Sequence, residues 1–255
     1  MQLLHSNIIG EGKPFIILHG FLGMGDNWKT MAKHITTLGY EVHLVDQRNH
    51  GRSFHSDSFD YELLVADLKY YLEQKNIAKA TLLGHSMGGK TAMLFAVTYP
   101  EKVKQLIIAD IAPKAYPVHH DFILQGLQAL DFSIVKSRKE AEEILKKYIP
   151  DFGVRQFLMK NLYWIHKGEL ALRINLESLV ENITEIGEAL PSLTVFEGKT
   201  LFLKGEKSPY IKEADKPLID AHFPNNTIIT IANAGHWLHA ENSVAFFEAV
   251  KTFVG

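Results

Sequence analysis

Cysteine is absent from the 255 residues, which excludes disulfides and thiol chemistry and fits a reducing compartment. A strong charge of either sign is also lacking, since 27 Lys and Arg face 29 Asp and Glu for a net charge of −2, and no basic stripe of the kind that binds nucleic acid is present. No apolar run approaches the length that spans a bilayer. The first residues carry neither the basic nor the apolar region of a signal peptide. We therefore expect a cytoplasmic monomer or homodimer with a small-molecule substrate and no nucleic-acid or membrane partner.

Length and composition are those of an ordinary globular domain, with 46% hydrophobic residues. The chain has 13 histidines, and the eleven other than His236 and His239 show no metal-ligand spacing such as H-E-x-x-H. The sequence therefore predicts an enzyme or binding protein that needs neither a metal nor a cofactor.

Short apolar runs alternate with amphipathic helical stretches over most of the chain. This alternation is typical of a mostly parallel sheet with right-handed crossovers, flanked by helices, and so of the α/β class. The predicted strands lie near residues 2–9, 15–18, 41–46, 80–83, 106–111, 200–203 and 227–231. Residues 113–191 interrupt the pattern with helical periodicity and no convincing strand. We predict a core of residues 1–112 and 192–255 and a helical cap inserted at 113–191.

The sequence G-H-S-M-G at residues 84–88 lies between the strand at 80–83 and a helical run. Strand, G-x-S-x-G, then helix is the pattern of a nucleophile elbow. So tight a turn strains the backbone of its central residue, and the flanking glycines remove Cβ clashes. The pattern predicts Ser86 as a nucleophile and the amide of Met87 as one donor to an oxyanion.

A serine nucleophile needs a base, and the best candidate is His236, which directly follows the last predicted strand. Ligands bind at the C-terminal ends of parallel strands, which is the edge where Ser86 is expected. His239 lies further on, among residues typical of packing, and is interpreted as a supporting residue.

The second oxyanion donor is expected in H-G-F-L-G at residues 19–23, after the first buried strand. We predict the amide of Phe21, with that of Leu22 as the next candidate. His19 is interpreted as a buried structural histidine.

The acid is less obvious, because the usual G-x-x-D after the penultimate strand is here Gly205 to Ser208, with a serine in place of the aspartate. Glu206 lies nearby but two positions early. Asp110 ends the strand that follows the elbow helix and is favoured; Glu206, or no dedicated acid, stays open.

Other polar and aromatic residues carry weaker signals. Lys90 is interpreted as a surface helix residue. The cluster Asp46, Arg48, Asn49 and His50 is interpreted as structural, holding neighbouring loops. Four aromatic residues are candidates for an acyl pocket, with simple packing as the alternative: Tyr116, Tyr163, Trp164 and Tyr210.

Five motifs occur in one order along the chain: H-G-F-L-G, D-Q-R-N-H-G-R-S, G-H-S-M-G-G-K, A-D-I-A-P and S-P-Y. Together they resemble the YbfF-type esterases of the α/β-hydrolase superfamily over nearly the whole chain, least so in the cap. The resemblance implies an α/β-hydrolase fold, with Asp110 as the triad acid and Ser208 in the hydrogen-bond network of the histidine. It also implies hydrolysis of short acyl esters and, in some members, of acyl-CoA thioesters. Ser243 departs from the superfamily, which often has proline there.

These observations predict a serine carboxylesterase for short-to-medium acyl esters that forms an acyl-enzyme on Ser86. A carbon–carbon bond hydrolase or a cofactor-free haloperoxidase could use the same triad. A non-catalytic ligand-binding protein on a hydrolase fold is the alternative of another class. Dehalogenase and epoxide hydrolase chemistry would need an aspartate at position 86.

Overall fold

The computed structural model describes residues 2–117 and 120–255. Seven of its strands form one sheet in the order β1-β3-β2-β4-β5-β8-β9, in which β1 is antiparallel to β3 and every other pair is parallel. The predicted α/β architecture is confirmed. The strands are β1 (Ser6–Ile9), β2 (Lys13–Leu18), β3 (Tyr40–Val45), β4 (Ala80–His85), β5 (Val103–Ala109), β6 (Leu162–His166), β7 (Glu169–Leu172), β8 (Thr200–Gly205) and β9 (Asn226–Ile231).

The described residues also form ten α-helices, none of which is long and apolar enough to cross a bilayer. The helices are α1 (Lys29–Thr36), α2 (Tyr61–Gln74), α3 (Met87–Thr98), α4 (Asp121–Gln128), α5 (Arg138–Leu145), α6 (Phe152–Met159), α7 (Leu176–Glu181), α8 (Lys216–His222), α9 (Leu238–Glu241) and α10 (Ser243–Val254).

The sheet is buried on both faces, which explains why its central strands are continuous apolar runs. Ile16 and Leu18 pack with α2, α3 and α8 on one face, whereas Phe15 and Ile17 pack with α1 and α10 on the other. Successive side chains of a strand point to opposite faces, so all four are fully buried.

Helices α5 and α10 each begin with a side-chain cap. The Ser137 hydroxyl accepts from the Glu140 amide at 3.2 Å, and the Asn242 side chain accepts from the Ala245 amide at 3.2 Å. Since Asn242 caps α10 by itself, Ser243 in place of proline leaves the helix start intact.

Residues 113–191 hold α4 to α7, but the expectation of no strand there was wrong, because β6 and β7 form an antiparallel hairpin. The strands have only five and four residues, too few for a period of two to stand out. The turn between them uses Gly168 at φ +85°. A separate apolar cluster of this segment packs onto Leu22 and Met87, beside the C-terminal edge of the sheet.

Candidate active site

Ser86 occupies the turn between β4 and α3 with φ +52°, in the left-handed region that a non-glycine residue rarely adopts. A Cβ on Gly84 would lie 2.1 Å from the Gly88 carbonyl oxygen, and one on Gly88 would lie 2.4 Å from the Leu18 carbonyl oxygen. The Ser86 amide still donates to the carbonyl of Ala109 on β5 at 3.0 Å. The strained turn is therefore held by the strand ladder on one side and close glycine packing on the other.

Asp110 directly follows β5, at φ +55°, and is fully buried. Its Oδ2 lies 2.7 Å from Nδ1 of His236, and its Oδ1 accepts from the Gly205 amide at 2.9 Å. A carboxylate only accepts hydrogen bonds, so this contact places the proton of the neutral imidazole on Nδ1 and leaves Nε2 as a proton acceptor.

Ser208, at the usual position of the acid, donates its hydroxyl hydrogen bond to the same Oδ2 of Asp110. Glu206 instead accepts from the Asn233 amide at 2.7 Å on the protein surface. Of the two carboxylates considered from the sequence, the geometry therefore favours Asp110 as the partner of His236.

Two of the aromatic residues predicted for the pocket, Tyr210 and Tyr116, line a cavity with Ser86, and Tyr210 lies beside His236. The Tyr210 ring stacks on the imidazole, with centroids 4.0 Å apart and an interplanar angle of 13°. The Tyr116 hydroxyl donates to the Tyr210 carbonyl at 2.6 Å and accepts from the Ala112 amide at 2.9 Å. Burial is the main cause that raises the pKa of both hydroxyls, so both remain neutral donors at physiological pH.

The other two predicted pocket aromatics lie elsewhere in the structure. Tyr163 and Trp164 belong to β6 and line neither cavity that opens onto Ser86. Tyr163 packs under the Arg173 guanidinium at 4.5 Å, while Trp164 is 47% exposed. The hairpin therefore places both residues outside these two cavities.

The oxyanion prediction needs one correction. Leu22, at φ +59°, donates its amide to Nε2 of His50 at 3.2 Å, so this N–H is already used. His50 accepts there because its Nδ1 donates to the Arg48 carbonyl at 2.8 Å. Phe21 and Met87 both line a cavity with Ser86 and remain the candidate donors.

His85, the variable residue inside the serine motif, contacts His236, and the sequence did not predict this contact. Its Nε2 donates to the carbonyl of His236 at 2.8 Å, and the two rings lie 4.7 Å apart. Burial holds the pKa of His85 well below its usual value, so the ring is neutral. Its place next to the nucleophile was the only available signal.

Two other histidines match their predicted supporting roles. His19 is buried, its Nδ1 lies 2.8 Å from the Gly20 carbonyl, and its Nε2 accepts from the Gln47 amide at 3.0 Å. His239 stacks on Trp28 with centroids 3.8 Å apart.

The polar cluster after β3 is buried and joins loops, as predicted. Arg48 forms an ion pair with Asp67 of α2 at 2.6 Å. Asp46 accepts from the amides of Gly25 and Arg52 at 2.7 and 2.9 Å. The Asn49 side chain donates to the Ser178 hydroxyl at 3.1 Å and so reaches α7.

The prediction that Lys90 is a surface residue was wrong, because only 1% of the residue is exposed. Its Nζ donates to the carbonyls of Lys114, at 2.6 Å, and Glu188. Burial lowers the pKa of Lys90 to about 7, against a smaller opposing effect of the Glu188 carboxylate.

Two cavities meet at Ser86. The smaller, of about 390 Å³, is bounded mainly by apolar and aromatic side chains, including Tyr61, Ile111, Tyr116 and Ile186. The larger, of about 550 Å³, is bounded by residues that include His236, Trp237, Phe157 and Gln156. Phe21 and Tyr210 line both cavities and so stand at their junction.

Comparison with known proteins agrees with this architecture. A family model described as the alpha/beta hydrolase fold matches residues 13–132. The Escherichia coli esterase YbfF is 33% identical over 99% of this chain and 95% of its own. This chain belongs to the α/β-hydrolase fold family. The resemblance to YbfF-type esterases is thereby confirmed.

Within the α/β-hydrolase family, two other similar proteins also carry ester-hydrolase names. The sn-1-specific diacylglycerol lipase ABHD11 of Danio rerio is 37% identical over 96% of this chain and 79% of its own. A solved structure named marine microorganism esterase is 41% identical, covers 98% of this chain and 99% of its own, and has a TM-score of 0.95.

Proposed function

We propose that this protein is a serine carboxylesterase that hydrolyses short-to-medium acyl esters through an acyl-enzyme on Ser86. The observation that carries the proposal is the 2.7 Å contact between Asp110 and Nδ1 of His236, at the edge of the sheet where the strained turn presents Ser86. The esterase and lipase names of the similar proteins support the same chemistry.

In the first half of the reaction, Nε2 of His236 takes the Ser86 proton as the serine oxygen attacks the acyl carbonyl. Asp110 stabilises the resulting imidazolium, and the amides of Phe21 and Met87 hold the oxyanion. Ser208 adds a second donor to the Asp110 carboxylate. His236 then protonates the leaving alkoxide, and water repeats the sequence to release the acid.

The need to protonate the leaving group suggests which cavity holds the alcohol and which holds the acyl chain. The leaving alkoxide must reach His236, which lines the larger cavity, so we place the alcohol there. The acyl chain then lies in the smaller cavity, against Tyr61, Ile111 and Ile186. Its apolar walls favour a hydrocarbon chain.

Several further features belong to the proposal. A thiolate can leave by the same route, so acyl-CoA thioesters are included as candidate substrates. Residues 113–191 act as a cap on a core formed by 1–112 and 192–255. The protein works in the cytoplasm as a monomer or homodimer, without a nucleic-acid or membrane partner.

The deciding experiment measures turnover of p-nitrophenyl esters and acyl-CoAs of graded chain length by wild type and Ser86→Ala. Loss of the nucleophile should lower kcat by roughly 10⁴-fold or more with the fold intact. Ser192→Ala, at an exposed serine, is the matched control and should retain activity. A fluorophosphonate should add one adduct to wild type and none to Ser86→Ala. A folded Ser86→Ala protein with near-wild-type turnover would refute the assignment, and a wild type without turnover would favour a binding protein.

A further inference from the structure

The two ends of the segment between β5 and β8 pair with each other beside the core. The Tyr116 amide donates to the Gly187 carbonyl at 2.8 Å, and the Leu190 amide donates to the Pro113 carbonyl at 3.0 Å. These bonds join the outgoing and returning chains into a short two-stranded connection. We call this connection the neck: residues 113–116 and 187–190.

Lys90 reaches both strands of the neck from α3. Its buried Nζ donates to the carbonyl of Lys114 on one strand and to that of Glu188 on the other. Its backbone amide donates to the Ser86 carbonyl at 3.0 Å. One residue therefore connects the turn that carries the nucleophile to both ends of the inserted segment.

This contact needs a long side chain that ends in hydrogen-bond donors. Burial lowers the pKa of Lys90 to about 7, so a charge at this site is unfavourable unless its donors are used. The two carbonyls use them, and the Tyr116 ring lies 5.3 Å from Nζ. An apolar side chain of the same length would leave both carbonyls without this donor.

The neck is also a wall of the smaller cavity beside Ser86. Lys114, Tyr116 and Gly187 line that cavity, together with Ile186 just before the returning strand. Tyr61 of α2 donates to the Ile186 carbonyl at 3.0 Å and supports the wall from a second side. The position of the neck therefore sets the width of the space next to the nucleophile.

We propose that Lys90 is a positioning residue that determines acyl-chain selectivity. By holding both strands of the neck at a fixed distance from Ser86, it keeps the cavity narrow enough for the acyl chain of the substrate to contact the neck on one side and the opposite cavity wall on the other. The inference rests on the proposed esterase function and on the acyl assignment of the smaller cavity. Each fully packed methylene is worth about fourfold in kcat/KM. Hexanoate has four more methylenes than acetate. If they lose half of their packing contacts, kcat/KM for the hexanoate ester should fall roughly fifteenfold relative to that for the acetate ester.

The first test compares Lys90→Met with Leu94→Met, one turn further along α3, on acetate and hexanoate esters. In Lys90→Met the hexanoate-to-acetate ratio of kcat/KM should fall at least tenfold, chiefly through a higher KM for hexanoate. In Leu94→Met the ratio should stay within about twofold of wild type. Gly187→Ala perturbs the neck without touching Lys90, since its Cβ would lie 2.4 Å from the Tyr116 carbonyl oxygen, and should lower the ratio as well.

The second test needs no substrate. Hydrogen–deuterium exchange of the Tyr116 and Leu190 amides should accelerate at least tenfold in Lys90→Met and remain unchanged in Leu94→Met. An equal loss on both esters, or a constant ratio despite faster exchange, would overturn the selectivity role. If Lys90→Met does not fold, Lys90→Gln, a milder change of the same side chain, decides by the same ester ratio and the same exchange measurement, and an unchanged ratio there would overturn the proposal. A wild type without any esterase activity would refute the proposed function, while the exchange result would still test the contact.

Discussion

The substitution Asp110→Asn tests the proposed acid with almost no change in shape. The carboxylate accepts from His236 and Ser208 through Oδ2 and from the Gly205 amide through Oδ1. An asparagine oxygen can keep the Gly205 bond, which turns the NH₂ group toward the imidazole. Nδ1 must then accept instead of donate, so the proton moves to Nε2 and the ring can no longer take the Ser86 proton.

The expected loss follows from the wrong tautomer and the missing counter-charge. Removing the charge of a triad aspartate in this way lowers kcat by roughly 10⁴-fold, or about 5 kcal/mol of transition-state stabilisation. Ser208→Ala removes a single neutral donor to the same carboxylate, so its cost should be about tenfold. Glu206→Gln alters a surface contact with Asn233 and should be nearly silent.

The assay is steady-state hydrolysis of p-nitrophenyl butyrate by the three variants, with circular dichroism as the control for folding. KM should change little for Asp110→Asn, because its carboxylate touches the base and not the substrate. If Glu206→Gln is severe while Asp110→Asn is mild, the acid follows β8 and the proposed triad fails.

Three more outcomes are expected. Burial lowers the pKa of His19 to about 4 and of His50 to about 3, so between pH 6.5 and those values the unfolded chain binds more protons. The free energy of unfolding should therefore fall with decreasing pH, by roughly 1.4 kcal/mol per pH unit for each ring, and equal urea midpoints at pH 7 and 5 would contradict this. Arg48→Met leaves the buried Asp67 carboxylate unpaired and should cost about 3–5 kcal/mol in denaturant melts, which a second change of Asp67→Leu should largely restore. Phe157→Ala, in the larger cavity, should alter selectivity among alcohols at constant acyl group but not among acyl groups at constant alcohol, and the reverse result would exchange our cavity assignments.

The sheet and the serine turn could be predicted because their signals are local. Doubly buried strands read as continuous apolar runs, and the steric demands of the turn lie within residues 84–88. The placement of Asp110 and His236 at one edge followed from the rule that parallel strands end together. Their contact is found in the structure, whereas their catalytic roles remain proposals.

The remaining features depend on partners distant in the chain. Lys90 looked exposed because nothing near it indicates that residues 114 and 188 supply carbonyls. The sequence could not show that the Leu22 amide is already hydrogen-bonded, because its acceptor, His50, lies 28 positions away. Tyr163 and Trp164 were misplaced because a hairpin of nine strand residues is too short to show its period.

The three residues of the proposed triad are not held equally firmly by the sheet. The Ser86 amide is bonded to the carbonyl of Ala109, the residue before Asp110, so nucleophile and acid are one hydrogen bond and one peptide unit apart. His236 instead stands on a loop after β9, aligned by Asp110, the His85 donor and the Tyr210 ring. We therefore expect thermal motion to displace the base before it separates the other two. On heating, turnover should decline while the sheet is still intact, so that the temperature of inactivation lies below the melting temperature.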